Sequence, residues 1–134
     1  MANPQLNVMS RYYPAVYVAD NDIAVGESID ILLQTQDIAV QLFDTGRSLL
    51  RKTLREPPAC IIMDANMPDI DGATLVREIK ASTLITPVIL LGGDSQIANV
   101  VDAVKAGCWD YLEKPFIQHA LLDSVSRAIR ATQH

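Results

Sequence analysis

No apolar run in the sequence approaches the roughly 20 residues that a membrane-spanning helix requires. The first ten residues have neither a basic start nor an apolar stretch, so we expect no secretory signal there. The sequence also lacks internal repeats, low-complexity segments and an internal linker. These absences favour a cytoplasmic protein whose 134 residues form one domain around one core.

Basic residues are scarce relative to acidic ones, with 11 Lys and Arg against 16 Asp and Glu and a formal net charge of −5. Because binding to nucleic-acid phosphates needs an excess of positive charge, we expect no direct nucleic-acid contact by this segment. The two cysteines, Cys60 and Cys108, match no metal-binding or redox spacing. We therefore predict two reduced thiols rather than a disulfide.

Short apolar runs alternate with apolar residues at helical spacing along the whole chain. The runs predict strands at 15–19, 39–43, 59–63, 87–91 and 111–112. The helical patterns predict helices at 23–35, 47–55, 73–82, 96–106 and 118–132. The predicted inward-facing residues are Leu49, Leu50 and Leu54 in the second helix, and Ile97, Val100, Val101 and Val104 in the fourth. Gly107 follows the fourth helix, where a left-handed C-cap belongs.

Strands that alternate with helices of this length predict βαβ units and a parallel sheet. Right-handed crossovers then place helices on both faces of the sheet. We predict an α/β, doubly wound, five-stranded parallel sheet with the flavodoxin-like strand order 2-1-3-4-5. Residues 1–13 are polar and aperiodic, so we interpret them as an N-terminal arm that precedes a domain at 14–134.

The most informative segment is ACIIMDANMPDIDG at 59–72, in which an apolar run ends abruptly in Asp64. In open parallel sheets, chemistry occurs just beyond the carboxyl ends of the strands. The first strand delivers Asp20 to the same edge, and the fifth delivers Lys114. Clustered carboxylates repel one another unless a cation compensates, and hard oxygen ligands suit Mg²⁺. A forward-pointing carboxylate, a lysine and a metal are the parts needed to accept a phosphoryl group.

From Pro14 to Arg130 the chain resembles a receiver domain of the two-component response regulators, which makes 14–134 a receiver domain. It is most similar to receivers fused to helix-turn-helix output domains, through Glu27-Ser28 early and KAG…DYLEKPF late. The resemblance implies that Asp64 is the phosphoacceptor and that Lys114 pairs with the phosphoryl group. The implied Mg²⁺ ligands are Asp20, Asn21, Asp64 and the backbone carbonyl of Asn66.

Two further positions acquire roles from the same resemblance. Tyr111 matches the aromatic switch residue that moves between exposed and buried rotamers. Pro115 matches the proline whose preceding peptide bond is typically cis, which would direct Lys114 inward.

Two positions depart from the family pattern. Asn21 stands where the second acidic residue of the metal site is expected, and loss of that charge should weaken Mg²⁺ binding by roughly fivefold to tenfold. Gly92 stands where a Ser or Thr normally hydrogen-bonds the phosphoryl group. The backbone N–H of Gly93 is a candidate donor in its place.

The function implied is acceptance of a phosphoryl group from a histidine kinase or phosphotransfer protein onto Asp64, with Mg²⁺. Such a protein is a phosphoacceptor, not an enzyme that acts on a diffusible substrate. Related receivers commonly form homodimers through helix 4, strand 5 and helix 5. Because of Asn21 and Gly92, the alternative is a degenerate receiver that binds partners or dimerises without phosphorylation.

Simpler structural roles remain open for several of these residues. Asp20 is an alternative N-cap for the first helix, as Asn21 and Asp22 also are. Lys114 is alternatively a solvated lysine, and Tyr111 a static, half-buried strand residue. A flavin- or nucleotide-binding protein of the same fold is disfavoured, because no glycine-rich phosphate loop follows the first strand. No nucleophile elbow is present either, which argues against an α/β hydrolase.

Overall fold

The computed structural model of the protein describes residues 16–93 and 97–132. Strands and helices alternate throughout these residues. In chain order the elements are β1 (Val16–Ala19), α1 (Ile23–Gln34), β2 (Val40–Phe43), α2 (Gly46–Arg55), β3 (Cys60–Asp64), α3 (Gly72–Ala81), β4 (Val88–Gly92), α4 (Ile97–Ala106), β5 (Asp110–Glu113) and α5 (Gln118–Thr132). The N-terminal arm predicted at 1–13 lies outside the described residues.

The strands form one parallel sheet in the order β2-β1-β3-β4-β5, which confirms the predicted strand order. Its centre, β1, β3 and β4, is buried along its whole length, as expected for strands that are covered on both faces. The strand order reverses between β1 and β3, since β2 lies outside β1 and β4 lies outside β3. Ligand sites of open α/β sheets form at this switch point.

Alternate residues of the central strands enter two separate cores. Ile61 and Met63 of β3 belong to a cluster with residues of α2, α3 and α4. Cys60 and Ile62 belong to a second cluster with residues of α1 and α5. The sheet is therefore covered by helices on both faces, as a doubly wound fold requires.

The predicted inward face of α4 is wrong in part. Val101 and Val104 are 45% and 63% exposed, whereas Ala103 is buried and Ala106 packs against the first core. The small side chains allow α4 to lie close to its neighbours, and the valines are left on the outer surface. Leu54 is likewise 46% exposed; the buried residue beside it in α2 is Thr53, whose hydroxyl donates to the carbonyl of Leu49.

Both cysteines are free thiols, as predicted. Burial raises the pKa of the Cys60 thiol to about 12, so it stays protonated and unreactive at neutral pH. Burial, and then the charge of Asp110, also raise the pKa of Cys108.

Gly107 adopts φ of 96°, the left-handed conformation predicted for the residue that ends α4. Within the residues that the structure describes, no helix is both long and apolar enough to cross a bilayer.

Candidate functional site

Asp20, Asp64 and Lys114 meet at the carboxyl edge of the sheet. Asp20 directly follows β1, Asp64 is the last residue of β3, and Lys114 directly follows β5. Lys114 Nζ lies 2.7 Å from Oδ2 of Asp20 and 3.3 Å from Oδ2 of Asp64. The three side chains that the sequence placed at this edge therefore form one cluster, with the ammonium group between two carboxylates.

Each carboxylate is oriented by a backbone hydrogen bond from two residues further along the chain. The N–H of Asp22 donates to Oδ1 of Asp20 at 2.8 Å, and the N–H of Asn66 donates to Oδ1 of Asp64 at 2.9 Å. Both are Asx-type turns, which Asp favours immediately after a strand. Because the two Oδ1 atoms are engaged in this way, both Oδ2 atoms turn toward Lys114.

The cluster is mostly withdrawn from solvent. The side chains of Asp20, Asp64 and Lys114 are 1%, 13% and 25% exposed. Burial alone would lower the pKa of Lys114, but its close ion pair with Asp20, and then that with Asp64, raise the pKa above its ordinary value. Lys114 is therefore charged at neutral pH, and its two ion pairs and partial burial exclude the alternative of a merely solvated lysine.

The peptide bond between Lys114 and Pro115 is cis, as the family resemblance implied. The backbone N–H of Lys114 also donates to the carbonyl of Gly92 at 2.7 Å, which joins the ends of β4 and β5. Lys114 is therefore held through its backbone as well as through its ion pairs.

The N-cap of α1 is Asp22, whose side chain accepts a hydrogen bond from the N–H of Ala24 at 2.9 Å. Asp20 is therefore not the cap, and that alternative is wrong. Asn21 and Asn66 are both exposed beside the cluster, so neither is part of its buried centre.

Tyr111 lies over Gly92, the last residue of β4. A Cβ atom placed on Gly92 would overlap the Tyr111 hydroxyl and would lie 2.7 Å from Cζ of that ring. The hydroxyl is buried and has no hydrogen-bond partner in the described part of the chain. Burial, and then the charge of Asp64, raise the pKa of Tyr111, so the phenol keeps its proton at neutral pH. The phenol thus fills the space that a side chain at position 92 would occupy.

A family model for the response regulator receiver domain matches residues 16–126. The chain belongs to this family. The receiver match covers all five strands and α5 as far as Ser126.

The curated relatives include a transcriptional regulatory protein and a response regulator protein. The transcriptional regulatory protein FixJ of Bradyrhizobium diazoefficiens is 32% identical over 118 residues, which are 88% of this chain and 58% of FixJ. The response regulator protein TodT of Pseudomonas putida is 30% identical over 93% of this chain and 55% of TodT. The chain therefore spans little more than half the length of these relatives.

Two solved structures show the same receiver fold. The receiver domain of the Francisella response regulator 1452 superposes with a TM-score of 0.82 at 28% identity, over 90% of this chain and 99% of the other. The receiver domain of the sensor histidine kinase PA1611 of Pseudomonas aeruginosa has a TM-score of 0.78 at 26% identity, over 88% and 98%. In that structure a magnesium ion is coordinated in the active-site cleft.

The oxygen atoms of the cluster fit a magnesium ion in this receiver. Oδ2 of Asp20 pairs with the Lys114 ammonium by charge, yet it accepts no hydrogen bond of acceptable geometry among the described residues. A buried oxygen with a lone pair left over suits a hard cation, and Mg²⁺ needs only one or two carboxylates because it keeps several waters. Within 16–93 and 97–132, no three His, Cys, Asp or Glu side chains are grouped to hold a metal. Any Mg²⁺ here would therefore depend on neutral oxygens beyond Asp20 and Asp64.

Asp69 has a structural role that its sequence context does not predict. Its carboxylate accepts hydrogen bonds from the backbone N–H groups of Gly46 at 3.1 Å and Arg47 at 2.8 Å. Burial opposes ionisation of Asp69, but the hydrogen bonds from Arg47 and Gly46 lower its pKa overall. The loop after Asp64 is thereby attached to the first turn of α2. Asp69 lies 23 residues from Gly46 and 22 from Arg47 in the chain, so no local sequence pattern identifies these hydrogen bonds.

Proposed function

We propose that this receiver accepts a phosphoryl group onto Asp64 from a phosphohistidine of a histidine kinase or phosphotransfer protein. The observation that carries the proposal is the position of Lys114, with Nζ 3.3 Å from Oδ2 of Asp64 and 2.7 Å from Oδ2 of Asp20. A carboxylate beside a fixed cation at the switch point of a parallel sheet has the placement that phosphoryl transfer needs.

In the proposed reaction, an oxygen of the Asp64 carboxylate attacks the phosphorus atom of the phosphohistidine. The P–N bond breaks, its electron pair returns to the imidazole of the partner, and an aspartyl phosphate forms. The carboxylate of Asp64 loses its charge as the mixed anhydride is made, while charge accumulates on the phosphoryl oxygens. Lys114 remains held by Asp20, so its ammonium is available to stabilise that charge.

The residues proposed to hold Mg²⁺ are Asp20, Asn21, Asp64 and Asn66, the last through its backbone carbonyl. When bound, the ion would neutralise charge on the transferring oxygens. Asn21 offers a neutral amide in place of a carboxylate, so we propose that binding is weak. Under this proposal the protein is a phosphoacceptor that promotes its own phosphotransfer and dephosphorylation.

The test uses a small phosphodonor, such as acetyl phosphate, with Mg²⁺ and intact-protein mass spectrometry. We expect one phosphoryl adduct on the wild-type chain and none on Asp64→Asn. The matched control is Asp44→Asn, which removes an exposed carboxylate that follows β2 at the same edge of the sheet. An adduct that persists in Asp64→Asn, or that disappears in Asp44→Asn, would contradict the assignment.

The second candidate function is that of a degenerate receiver, which keeps the fold but acts without phosphorylation. It is favoured by the same two departures from the family pattern, Asn21 and Gly92. No adduct and no Mg²⁺-dependent shift in thermal stability at millimolar Mg²⁺ would support this candidate over the first.

We also propose that the face formed by α4, β5 and α5 pairs with a second copy of the chain. Val101 and Val104 of α4 and Trp109 before β5 are 45%, 63% and 42% exposed, which leaves apolar area available on this side. Light scattering on wild-type protein and Val104→Asp, with and without beryllofluoride, tests this pairing. A dimer that is unaffected by Val104→Asp would argue for another face. The cytoplasmic location and the lack of nucleic-acid contact remain predictions from the sequence.

A further inference from the structure

We propose that the Tyr111 hydroxyl takes the place of the side-chain hydroxyl that Gly92 lacks and donates a hydrogen bond to the phosphoryl group on Asp64. This inference rests on the proposed function and extends it to a residue of the acceptor site. The resemblance assigned Tyr111 only a rotamer switch, and the structure gives its hydroxyl a chemical use.

The first observation is that Tyr111 occupies the space that a side chain on Gly92 would need. The backbone of Gly92 is not in the left-handed region that favours glycine, so its conformation does not explain the residue. The lack of space does explain the glycine, because a Cβ at this position would overlap the Tyr111 hydroxyl. It would also lie 2.7 Å from Cζ and 3.3 Å from Cε1 of the ring. A serine or threonine at 92 and the observed position of Tyr111 therefore exclude each other.

The second observation is that the Tyr111 hydroxyl is buried without a hydrogen-bond partner among the described residues. Leaving a buried hydroxyl unpaired is unfavourable, and native structures rarely do so. The Tyr111 hydroxyl is therefore free to donate a hydrogen bond to an acceptor that binds at this site. Among the described residues, no atom lies within 4 Å of a Cβ built on the neighbouring Gly93, so the structure shows open space beside the end of β4.

The third observation is the charge environment of the phenol. The hydroxyl lies over Gly92, whose carbonyl accepts from the N–H of Lys114 and whose preceding residue, Leu91, pairs in the sheet with Asp64. Burial, and then the charge of Asp64, raise the pKa of Tyr111. The raised pKa keeps the proton on the phenol at neutral pH, where it can be donated. A phosphoryl group on Asp64 brings three strong acceptor oxygens, of which Lys114 can pair with one. The Tyr111 hydroxyl supplies a second hydrogen-bond donor to these oxygens at the end of β4, where Gly92 has no side-chain hydroxyl.

The experiment measures beryllofluoride affinity by calorimetry, in the presence of Mg²⁺, for wild type and Tyr111→Phe. Tyr111→Phe keeps the ring and removes only the donor, so we expect affinity to fall by about tenfold or more. The lifetime of the phosphoryl adduct should change in the same variant. Thermal stability without ligand should stay equal or rise, because the deleted hydroxyl had no partner in the described structure.

The matched control is Tyr17→Phe, which removes another buried phenol hydroxyl. The Tyr17 hydroxyl donates to the carbonyl of Glu56 at 2.6 Å, away from the acceptor cluster. This variant should lose stability and keep its affinity for beryllofluoride. Combining Gly92→Ser with Tyr111→Ala, which also removes the ring atoms that a Cβ at position 92 would crowd, places a hydroxyl at the end of β4 and should recover affinity relative to Tyr111→Ala alone.

An affinity of Tyr111→Phe within about twofold of wild type would overturn the proposal, since a hydrogen bond to a charged group is worth more. So would a loss of affinity that merely parallels a loss of thermal stability. If the wild-type chain neither forms the adduct nor binds beryllofluoride, the proposed function itself fails and this inference falls with it. An adduct on wild type with unchanged Tyr111→Phe refutes this inference alone.

Discussion

Lys114 Nζ lies closer to Oδ2 of Asp20, at 2.7 Å, than to Oδ2 of Asp64, at 3.3 Å. The lysine is thus anchored by the carboxylate that is not the proposed phosphoacceptor. If Asp64 takes up a phosphoryl group as proposed, its carboxylate becomes part of a mixed anhydride and loses its charge, but the Asp20 carboxylate still pairs with the ammonium. Because of its ion pair with Asp20, Lys114 should keep its position whether or not Asp64 carries a charge.

The first prediction concerns the loss of this cation. Lys114→Gln leaves two buried carboxylates facing each other, so we expect the free energy of unfolding at pH 7 to fall by roughly 1–3 kcal/mol. This is less than for a fully buried pair, because a quarter of the lysine side chain is exposed. Urea denaturation checks the value. The control is Lys52→Gln, which breaks the surface pair with Glu56 and should change stability by less than about 0.5 kcal/mol.

The same pair fixes the direction of a pH dependence. Lys114 has a raised pKa in the folded protein, so its stabilising effect is fully present below the ordinary lysine value of about 10.4. It is lost as the pH rises through the raised value. The difference between wild type and Lys114→Gln should therefore be constant from about pH 7 to 9 and shrink at more alkaline pH. A difference that disappears already at pH 8 would contradict the ion-pair interpretation.

The second prediction concerns the acidic residue that this receiver lacks. Asn21→Asp restores a carboxylate beside Asp20, and we expect Mg²⁺ affinity to rise by roughly fivefold to tenfold. Titration of Mg²⁺ against thermal stability provides the measurement. The control is Gln41→Glu, which adds the same charge on the exposed edge strand β2 and should leave Mg²⁺ affinity nearly unchanged. An equal rise in both variants would mean that total charge, not a ligand at position 21, sets the affinity.

The arrangement of strands and helices was predictable because both periodicities are strong in this chain. The meeting of Asp20, Asp64 and Lys114 followed as well, since the carboxyl ends of parallel strands converge on one edge. The strand β5 is longer than predicted and pairs with β4 from Ile89 to Gly92. Its terminal residues, Asp110 and Glu113, are acidic, so the apolar pattern does not include them.

The remaining features depend on tertiary packing that the sequence pattern does not encode. Apolar spacing placed Val101 and Val104 inward, but α4 turns Ala103 to the core because a small side chain permits closer packing. The position of the Tyr111 side chain over Gly92 depends on a space that forms only when β4 and β5 are paired in the folded sheet. The hydrogen bonds from the first turn of α2 to Asp69 join residues far apart in the chain.

The third prediction concerns these long-range hydrogen bonds to Asp69. Asp69→Ala removes the acceptor for two backbone N–H groups of α2, and we expect a loss of about 1 kcal/mol in the free energy of unfolding. The pKa of Asp69 is lowered, so its contribution is present above about pH 4 and is lost as the pH falls through the lowered value. Denaturation curves at pH 7 and pH 3 test both statements. Asp44→Ala, an exposed carboxylate just before the same helix, should cost less at either pH.

The fourth prediction compares two glycines that differ in what surrounds them. Gly26 lies inside α1, and among the described residues outside the backbone of that helix an added Cβ would contact Leu42 Cδ2 alone, at an ordinary 3.7 Å. Gly26→Ala should therefore stabilise the protein by about 0.5–1 kcal/mol, since alanine loses less backbone entropy in a helix. Gly107 has φ of 96°, and a Cβ there would lie 2.6 Å from Cε of Lys80. Gly107→Ala should destabilise it by about 1 kcal/mol or more, through the left-handed backbone and the displaced lysine.

The two glycine variants must be measured by the same chemical denaturation under identical conditions. The combination Gly107→Ala with Lys80→Ala separates the two causes of the predicted loss. Removing the lysine relieves the contact with Cε but leaves the backbone strain, so only part of the stability should return. Full recovery would assign the effect to the contact alone, and no recovery would assign it to the left-handed conformation. A destabilised Gly26→Ala would instead show that the contact of α1 with Leu42 is tighter than 3.7 Å implies.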